Sequence, residues 1–354
     1  MKDSYRVTAL MSGSSMDGVD LACCDLEWKG QQWAYNILDA ETFPYPSELL
    51  SKLEKACSWS LEKIHELDLE LGAHYAVLIK EFHKRKKLKP DFIASHGHTI
   101  LHDPQKRITF QAGNGRIMAE GTGIMVINDF RSEDVAQGGQ GAPLVPLGDR
   151  MLFNQFEGCL NLGGFANISC ENNEGQPIAY DLCPANMALN WVAALEGLSF
   201  DRDGALARHG VVQKELLEKL NKLDYYALPA PKSLGREWFL QQFMPPLHQS
   251  NLKTTDLMAT VLEHIVFQIS MGINKASIHS LLITGGGALN QTLIERLKAY
   301  TNTSLVIPEE QLIDYKEALI FALLGVLRIR GEINCLASVT GGTQDISAGR
   351  IHKI

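Results

Sequence analysis

Three glycine-rich turns in this chain have the composition of anion-binding loops. The first, Ser12-Gly13-Ser14-Ser15-Met16-Asp17-Gly18, combines hydroxyls, permissive backbone and one carboxylate between two apolar stretches. Such a loop can aim N–H and O–H groups at a phosphate while Asp17 holds Mg²⁺, directly or through water. The same residues suit an ordinary hairpin turn, so composition leaves both readings open. The second, Asn161-Leu162-Gly163-Gly164-Phe165-Ala166-Asn167, sits at the matching place in the second half of the chain. Two phosphate-facing hairpins are harder to assign to turn chemistry than one. The third, Thr284-Gly285-Gly286-Gly287-Ala288-Leu289-Asn290, follows an apolar strand pattern and opens a helical one. Glycines there let a nucleotide ring lie flat against backbone, and the helix N-terminus favours negative charge; close strand-to-helix packing is the alternative. No GxxxxGK[ST] pattern occurs, which excludes a Walker-type phosphate loop.

Asp181 ends an apolar run and precedes Pro184 and a helical stretch. Its carboxylate is therefore expected at the carboxyl edge of a sheet, where α/β proteins bind ligands. It reads either as a general base or as a helix N-cap. Glu317 opens the apolar helix Ala318-Leu319-Ile320-Phe321 and, by sequence, is an exposed first-turn acid that favours the helix dipole. His96, His98 and His102 form an HxHxxxH string. No acid stands beside them at a metallohydrolase spacing, so a catalytic metal is the lesser reading. A loop Ser95-His96-Gly97-His98-Thr99 that offers hydrogen bonds to a polar ligand, or forms a capped turn, is the greater. Arg131 is the fixed cation best suited to a carboxylate, because its planar fork binds one bidentately; a pair with Glu133 or Asp134 is the alternative. The run Gly138-Gly139-Gln140-Gly141-Ala142-Pro143 reads as a hinge or a close backbone contact.

The elements that must position these groups follow from apolar periodicity. Strands are expected at Val7 to Leu10, Val19 to Cys24, Trp33 to Leu38, Phe92 to Ala94 and Ile124 to Ile127, with helical spacing from Pro46 to about Arg85. A similar order restarts near residue 158, with strands Cys159 to Leu162, Phe165 to Cys170 and Ile178 to Asp181. Helical stretches then run from Asn186, Thr255 to Asn274, Leu289 to Tyr300 and Tyr315 to Ile329, with strands Ser280 to Thr284 and Leu305 to Ile307. Two hairpin-led α/β halves imply a duplicated fold with a cleft between domains.

Composition narrows the partners. The 354 residues fit two domains or one large one, and 45% hydrophobic with 21% charged residues excludes disorder. A net charge of −8, with no basic run beyond Lys84-Arg85-Lys86-Lys87, argues against nucleic acid and for a small ligand. Seven cysteines without CxxC spacing or a leader pattern read as reduced thiols in a cytoplasmic protein. The longest clean apolar run, Ala318 to Leu327, falls short of the ~20 residues of a membrane span.

The ordered motifs resemble one family, the anhydro-N-acetylmuramic acid kinases of the sugar kinase, Hsp70 and actin superfamily. The matching stretches are Met11-Ser-Gly-Ser-Ser-Met-Asp-Gly-Val-Asp20, Ser95-His-Gly-His-Thr-Ile-Leu-His102, Asp129-Phe-Arg131, Gly138-Gly-Gln-Gly-Ala-Pro-Leu-Val-Pro146 and Asn161-Leu-Gly-Gly-Phe-Ala-Asn167. Lys232-Ser-Leu-Gly-Arg-Glu237, Gly285-Gly-Gly-Ala-Leu-Asn290, Glu317-Ala-Leu-Ile-Phe-Ala322 and Ser338-Val-Thr-Gly-Gly342 complete the order. The resemblance implies a duplicated actin-like, ribonuclease H-like ATPase fold. Its first domain would comprise residues 1–132 plus about 340–354, binding phosphate and sugar, and its second residues 133–339, carrying the catalytic acid and nucleotide site. It also implies a cytoplasmic ATP- and Mg²⁺-dependent enzyme, possible as a homodimer, that opens the 1,6-anhydro bridge with water and phosphorylates O6 in cell-wall recycling. Asp181 would be the base and Glu317 a second catalytic-site acid. Gly13, Ser14, Ser15, Asp17, Asn161, Gly163, Gly164, Gly285, Gly286, Gly287 and Asn290 would hold nucleotide, phosphate and metal, and His98, Thr99 and Arg131 the sugar.

The sequence departs from the family pattern D-T-G-P-G-N at Asp181-Leu182-Cys183-Pro184-Ala185-Asn186, and has His98 for the usual Gln and Ser14 for Thr. The acid is kept, so the departures bear on rate and substrate preference more than on reaction type. Two other classes compete: a non-catalytic sugar or nucleotide sensor of the same fold, and a histidine-dependent metallohydrolase.

Overall fold

The computed structural model describes residues 2–13, 16, 18–172, 174–230 and 232–354, in two compact units. Unit 1 is Met1–Leu152 with Tyr315–Ile354, and unit 2 is Phe153–Asp314. Residues 133–152 and 315–339 thus fall in unit 1 rather than in the second domain, where they were expected. Packing accounts for the difference. A Cβ on Gly148 would lie 2.5 Å from Ile320, one on Gly325 would lie 2.9 Å from Ala94 and Phe92, and Lys316 Nζ meets Asp149 Oδ1 at 3.0 Å. None of these pairings is local in sequence.

In unit 1, β1 (Ser4–Ser12), β2 (Val19–Trp28) and β3 (Trp33–Phe43) form an antiparallel meander. Next, β4 (Phe92–Asp103) pairs parallel to β1, β5 (Ile108–Ala112) pairs antiparallel to β4, and β6 (Val126–Asn128) pairs parallel to β4. The C-terminal strand Arg350–His352 closes the edge beside β6. Central strands β1 and β4 are buried along most of their length, as a sheet covered on both faces requires.

Two expectations change here. The helical run divides into Ser47–Ala56 and Leu61–Lys86, the second capped by Ser60, whose side chain accepts from Lys63 N. The histidine string lies within β4 rather than on a loop, and β5, absent from the expected elements, pairs with it.

Unit 2 contains β7 (Gly158–Leu162), β8 (Phe165–Glu171), β9 (Pro177–Pro184), β10 (Ser280–Thr284) and β11 (Ser304–Val306) in the order β11-β10-β7-β8-β9. This repeats β6-β4-β1-β2-β3, with the same antiparallel meander and the same two parallel additions. The repeated order is the duplicated actin-like arrangement. The helix Thr254–Lys275 is long and apolar enough to cross a membrane by length and composition, but 78% of its most apolar window is buried in the fold. All seven cysteines are free thiols, and only Cys57 is exposed.

Candidate active site

At the end of β1, Ser12 stands beside His98 of β4 across a register irregularity. Ser12 Oγ lies 2.9 Å from His98 Nδ1 and 2.7 Å from the Tyr45 hydroxyl, which lies 2.8 Å from the Tyr75 hydroxyl. All four side chains are buried. Burial pushes His98 down to about 4 and both tyrosines up, so this chain of groups is neutral near pH 7. Ser12, bonded on both sides within this chain, directly precedes Gly13. Met16 N donates to Gly13 O at 3.2 Å. Ser14, Ser15 and Asp17 lie outside the described residues. Between the histidines, Gly97 has φ +73, and a Cβ there would lie 2.5 Å from Ala112 O. Only glycine fits this bend.

Arg131 follows β6 and donates from Nε to His96 Nε2 at 3.0 Å and from Nη1 to Gly141 O at 2.6 Å. His96 Nδ1 faces Gly97 O at 2.9 Å, which can only accept. The imidazole proton is therefore on Nδ1, and Nε2 is free to accept from Arg131. Burial pulls Arg131 down to about 10, an effect Glu317 opposes, and it stays a cation at neutral pH. Neither Glu133 nor Asp134 pairs with it. Asp134 instead accepts from Gly141 N and Thr340 Oγ1, both at 2.7 Å. Gly141 of the Gly138–Pro143 run is thus in close contact with Arg131 and Asp134, as one of the two readings of that run expects.

The helical stretch Glu310–Arg330 is broken at Tyr315, so Glu317 stands in the first turn after that kink, as expected, but it is not exposed. The side chain is half-buried, and burial raises its pKa while Lys316 and Arg131 oppose the rise. Thr99 is half-buried, with Gln111 Nε2 at 3.5 Å. His102 Nδ1 meets Thr109 Oγ1 at 3.1 Å, so each of the three histidines has its own partner. Among the described residues, no three His, Cys, Asp or Glu side chains converge as a metal site.

In unit 2, β9 continues past Asp181 to Pro184, and the helix Asn186–Ala194 takes Ala185 as its N-cap. The capping role for Asp181 is therefore excluded. Its N donates to Lys232 O at 3.0 Å, its O accepts from the Tyr225 hydroxyl at 2.7 Å, and its Oδ2 accepts from Leu234 N at 2.7 Å. Burial raises Asp181 to about 6, against the pull of the Leu234 N–H. A carboxyl tuned to that value is ionised at pH 7 yet basic enough to take a proton. The altered residues beside it are packing groups: Leu182 fills the space over Gly272, where a Cβ would lie 2.4 Å from it, and Cys183 is fully buried. Burial pushes the Cys183 thiol up, so it remains protonated.

The two remaining glycine turns meet at the carboxyl ends of the neighbours β7 and β10, where Asn161 stands opposite Thr284. The carbonyls of Gly163 and Gly164 accept from Asn186 N at 3.0 Å and Ala185 N at 2.8 Å. Gly285 has φ +79, and a Cβ there would lie 2.5 Å from Asn161 Oδ1. Gly287 is equally crowded by Leu162, whereas Gly286 has only Asn186 Nδ2, at 3.8 Å. Close packing thus explains Gly285 and Gly287 and leaves Gly286 with an open face. Asn290 caps the helix Gln291–Tyr300 by accepting from Leu293 N, so the glycines form a 3-10 turn ahead of that helix rather than its first turn. Sequence reasoning missed Tyr225, Lys232 and Leu234 as the groups that hold Asp181. Lys232 and Leu234 lie in the motif Lys232-Ser-Leu-Gly-Arg-Glu237, to which no role was attached; Tyr225 lies outside it and had no signal.

Comparison with known proteins supplies the family. The family model described as anhydro-N-acetylmuramic acid kinase matches residues 5–353. A curated relative of that name from Aliivibrio fischeri is 36% identical over 98% of this chain and 99% of its own. Another, from Sulfurimonas denitrificans, is 33% identical over 97% and 98%. Among solved structures, an activator of a 2-hydroxyisocaproyl-CoA dehydratase from Clostridium difficile is 14% identical over 92% of this chain and 97% of its own, with a TM-score of 0.42, too low to add to the strand order. The full-length sequence matches show that the chain belongs to the anhydro-N-acetylmuramic acid kinase family.

Proposed function

We propose that the chain uses water to open the 1,6-anhydro bridge of anhydro-N-acetylmuramic acid and phosphorylates the freed O6 from ATP. The products are N-acetylmuramic acid 6-phosphate and ADP. Family membership supports the reaction, and the observation that carries the assignment of roles is Asp181, whose carboxyl is raised to about 6 in a buried setting.

A bridged sugar has no O6–H, so a proton must come from water. Asp181 takes it as the oxygen attacks the anomeric carbon, the C1–O6 bond breaks, and O6 attacks the γ-phosphorus as ADP leaves. Protonated Asp181 then returns its proton to solvent. The Leu234 N–H holds Oδ2, which aims the other oxygen at the water. Arg131, held by His96 and Gly141, offers its remaining edge to the lactyl carboxylate. His98, Thr99 and Glu317 are assigned to the sugar. The glycine turns at residues 163–164 and 285–287 are assigned to the nucleotide; Asn290 supports the latter as a helix cap. Gly13, Ser14, Ser15 and Asp17 are assigned to the ATP phosphates and would hold the Mg²⁺ that comes with ATP, which would neutralise phosphate charge. The ATP requirement places the reaction in the cytoplasm.

Incubation with ATP, Mg²⁺ and the anhydro sugar, beside ATP, Mg²⁺ and glucose, tests this reading. The expected result is ADP and 6-phosphosugar in equal amounts with the anhydro sugar alone. ADP release indifferent to the sugar, or phosphorylated glucose, would overturn it.

A further inference from the structure

Behind Asp181, unit 2 carries a cavity of about 540 Å³, open to solvent, that the proposed reaction does not use. Alternation along β9 turns Tyr180 and Leu182 into this cavity and Asp181 to the other face. Its volume falls in the range of small-molecule sites. Phe267 and Met271 of the long helix form its apolar wall, and both expose large apolar surface, at 37% and 52%.

The charge of the lining is one-sided. Lys222, Lys232 and Lys275 face it against a single acid, Glu171, among the described residues. Lys222 has Glu218 at 3.4 Å, while Lys275 has no ion pair among the described residues. Lys232 is half-buried, donates to Tyr225 O at 3.0 Å, and is lowered by burial and by Lys275. An anion between these ammonium groups would relieve both costs.

The opposite wall is the segment that holds Asp181. Adjacent residues face opposite ways: the Tyr225 hydroxyl donates to Asp181 O, while the Tyr226 hydroxyl meets His264 Nε2 at 2.8 Å. His264 Nδ1 and Gln268 Nε2 both meet Asn221 Oδ1, at 2.7 and 3.0 Å. An amide oxygen only accepts, so the His264 proton is on Nδ1 and Tyr226 must donate to Nε2. This network pins the wall to the long helix on one side, and three hydrogen bonds tie it to Asp181 on the other.

We propose that this cavity is a second ligand site for an amphipathic anion, an apolar body bearing a sulfonate, carboxylate or phosphate, and that its occupancy alters turnover through the 223–234 wall. The binding claim stands apart from the kinase reading, and the turnover claim rests on it.

The dye 8-anilinonaphthalene-1-sulfonate has this chemistry and serves as the probe on the full chain. Its fluorescence should rise saturably at one site per chain and persist under saturating ADP and Mg²⁺. Lys275→Glu should weaken binding about tenfold, and Lys275→Arg should leave it near wild type. Saturating dye should change kcat on the anhydro sugar at least twofold without competing with ATP. Unsaturable binding, displacement by ADP, or equal binding to Lys275→Glu would overturn the site. Saturable binding with unchanged kcat would overturn the coupling. Absence of any kinase turnover would sink the proposed reaction while leaving the dye titration readable.

Discussion

In unit 1 Ser12, His98, Tyr45 and Tyr75 hydrogen-bond one another, whereas in unit 2 the Asp181 carboxylate of β9 has a single donor among the described residues. Arg131 is braced by His96 and Gly141 with Glu317 nearby in charge. Among the described residues, the Asp181 carboxylate has only the Leu234 N–H against the cost of burial. The same strand order therefore carries two electrostatic designs. One is pre-satisfied and suits binding at little reorganisation cost; the other is under-satisfied and suits proton transfer.

The largest effect should come from the under-satisfied side. Asp181→Asn should lower kcat about 10³-fold, within the usual reach of acid–base catalysis, while calorimetric ATP affinity stays within about threefold. The same variant should be more stable at pH 8. The folded pKa of about 6 lies above the ordinary aspartate value of 3.8, so wild type loses stability as pH rises from about 4 through 6. Asparagine has no such loss, and the gain, at most about 3 kcal/mol from a shift of about two units, should vanish near pH 4 in denaturant titrations. A kcat loss below tenfold would erase the contrast between the units.

On the satisfied side, Arg131→Ala should raise KM for the anhydro sugar about 10²-fold with a smaller change in kcat, as removal of a buried charge partner does. Arg131→Lys should recover little, since a single ammonium cannot serve His96, Gly141 O and a ligand together. Steady-state kinetics that put the whole loss in kcat would move Arg131 out of the binding role. Ser12→Ala should cost about 1–3 kcal/mol in thermal or denaturant unfolding, because it strands the Tyr45 hydroxyl and His98 Nδ1. The smallest effect is expected at His98. His98→Gln keeps a hydrogen-bonding group beside Ser12, and a histidine near 4 carries no charge between pH 6 and 8. kcat/KM should change by less than about threefold there, with no change in pH profile.

Much of this was legible in sequence, and the gaps have physical causes. The two meanders and their parallel additions stood out because β1, β4, β7 and β10 are apolar runs bounded by glycine turns. The length of β4 was hidden by Gly97 and by polar histidines that read as loop, although sheet burial accommodates them once they find partners. Asp181 was visible as a strand-end acid, but the donor that tunes it is a backbone N–H 53 residues on, where no side chain advertises the bond. Glu317 looked exposed because it opens a helix after Tyr315; it is half-buried because Lys316, Arg131 and Asp149 lie near it in the fold, which no local pattern shows. The unit borders depend on Gly148 meeting Ile320, a contact with no local signal.

The pH dependence of kcat on the anhydro sugar, at saturating ATP, sugar and Mg²⁺, tests the central claim most directly. With Asp181 as proton acceptor, kcat should be flat above pH 7 and fall about tenfold per pH unit below about 6. A profile flat down to pH 5 would contradict the role assigned to Asp181.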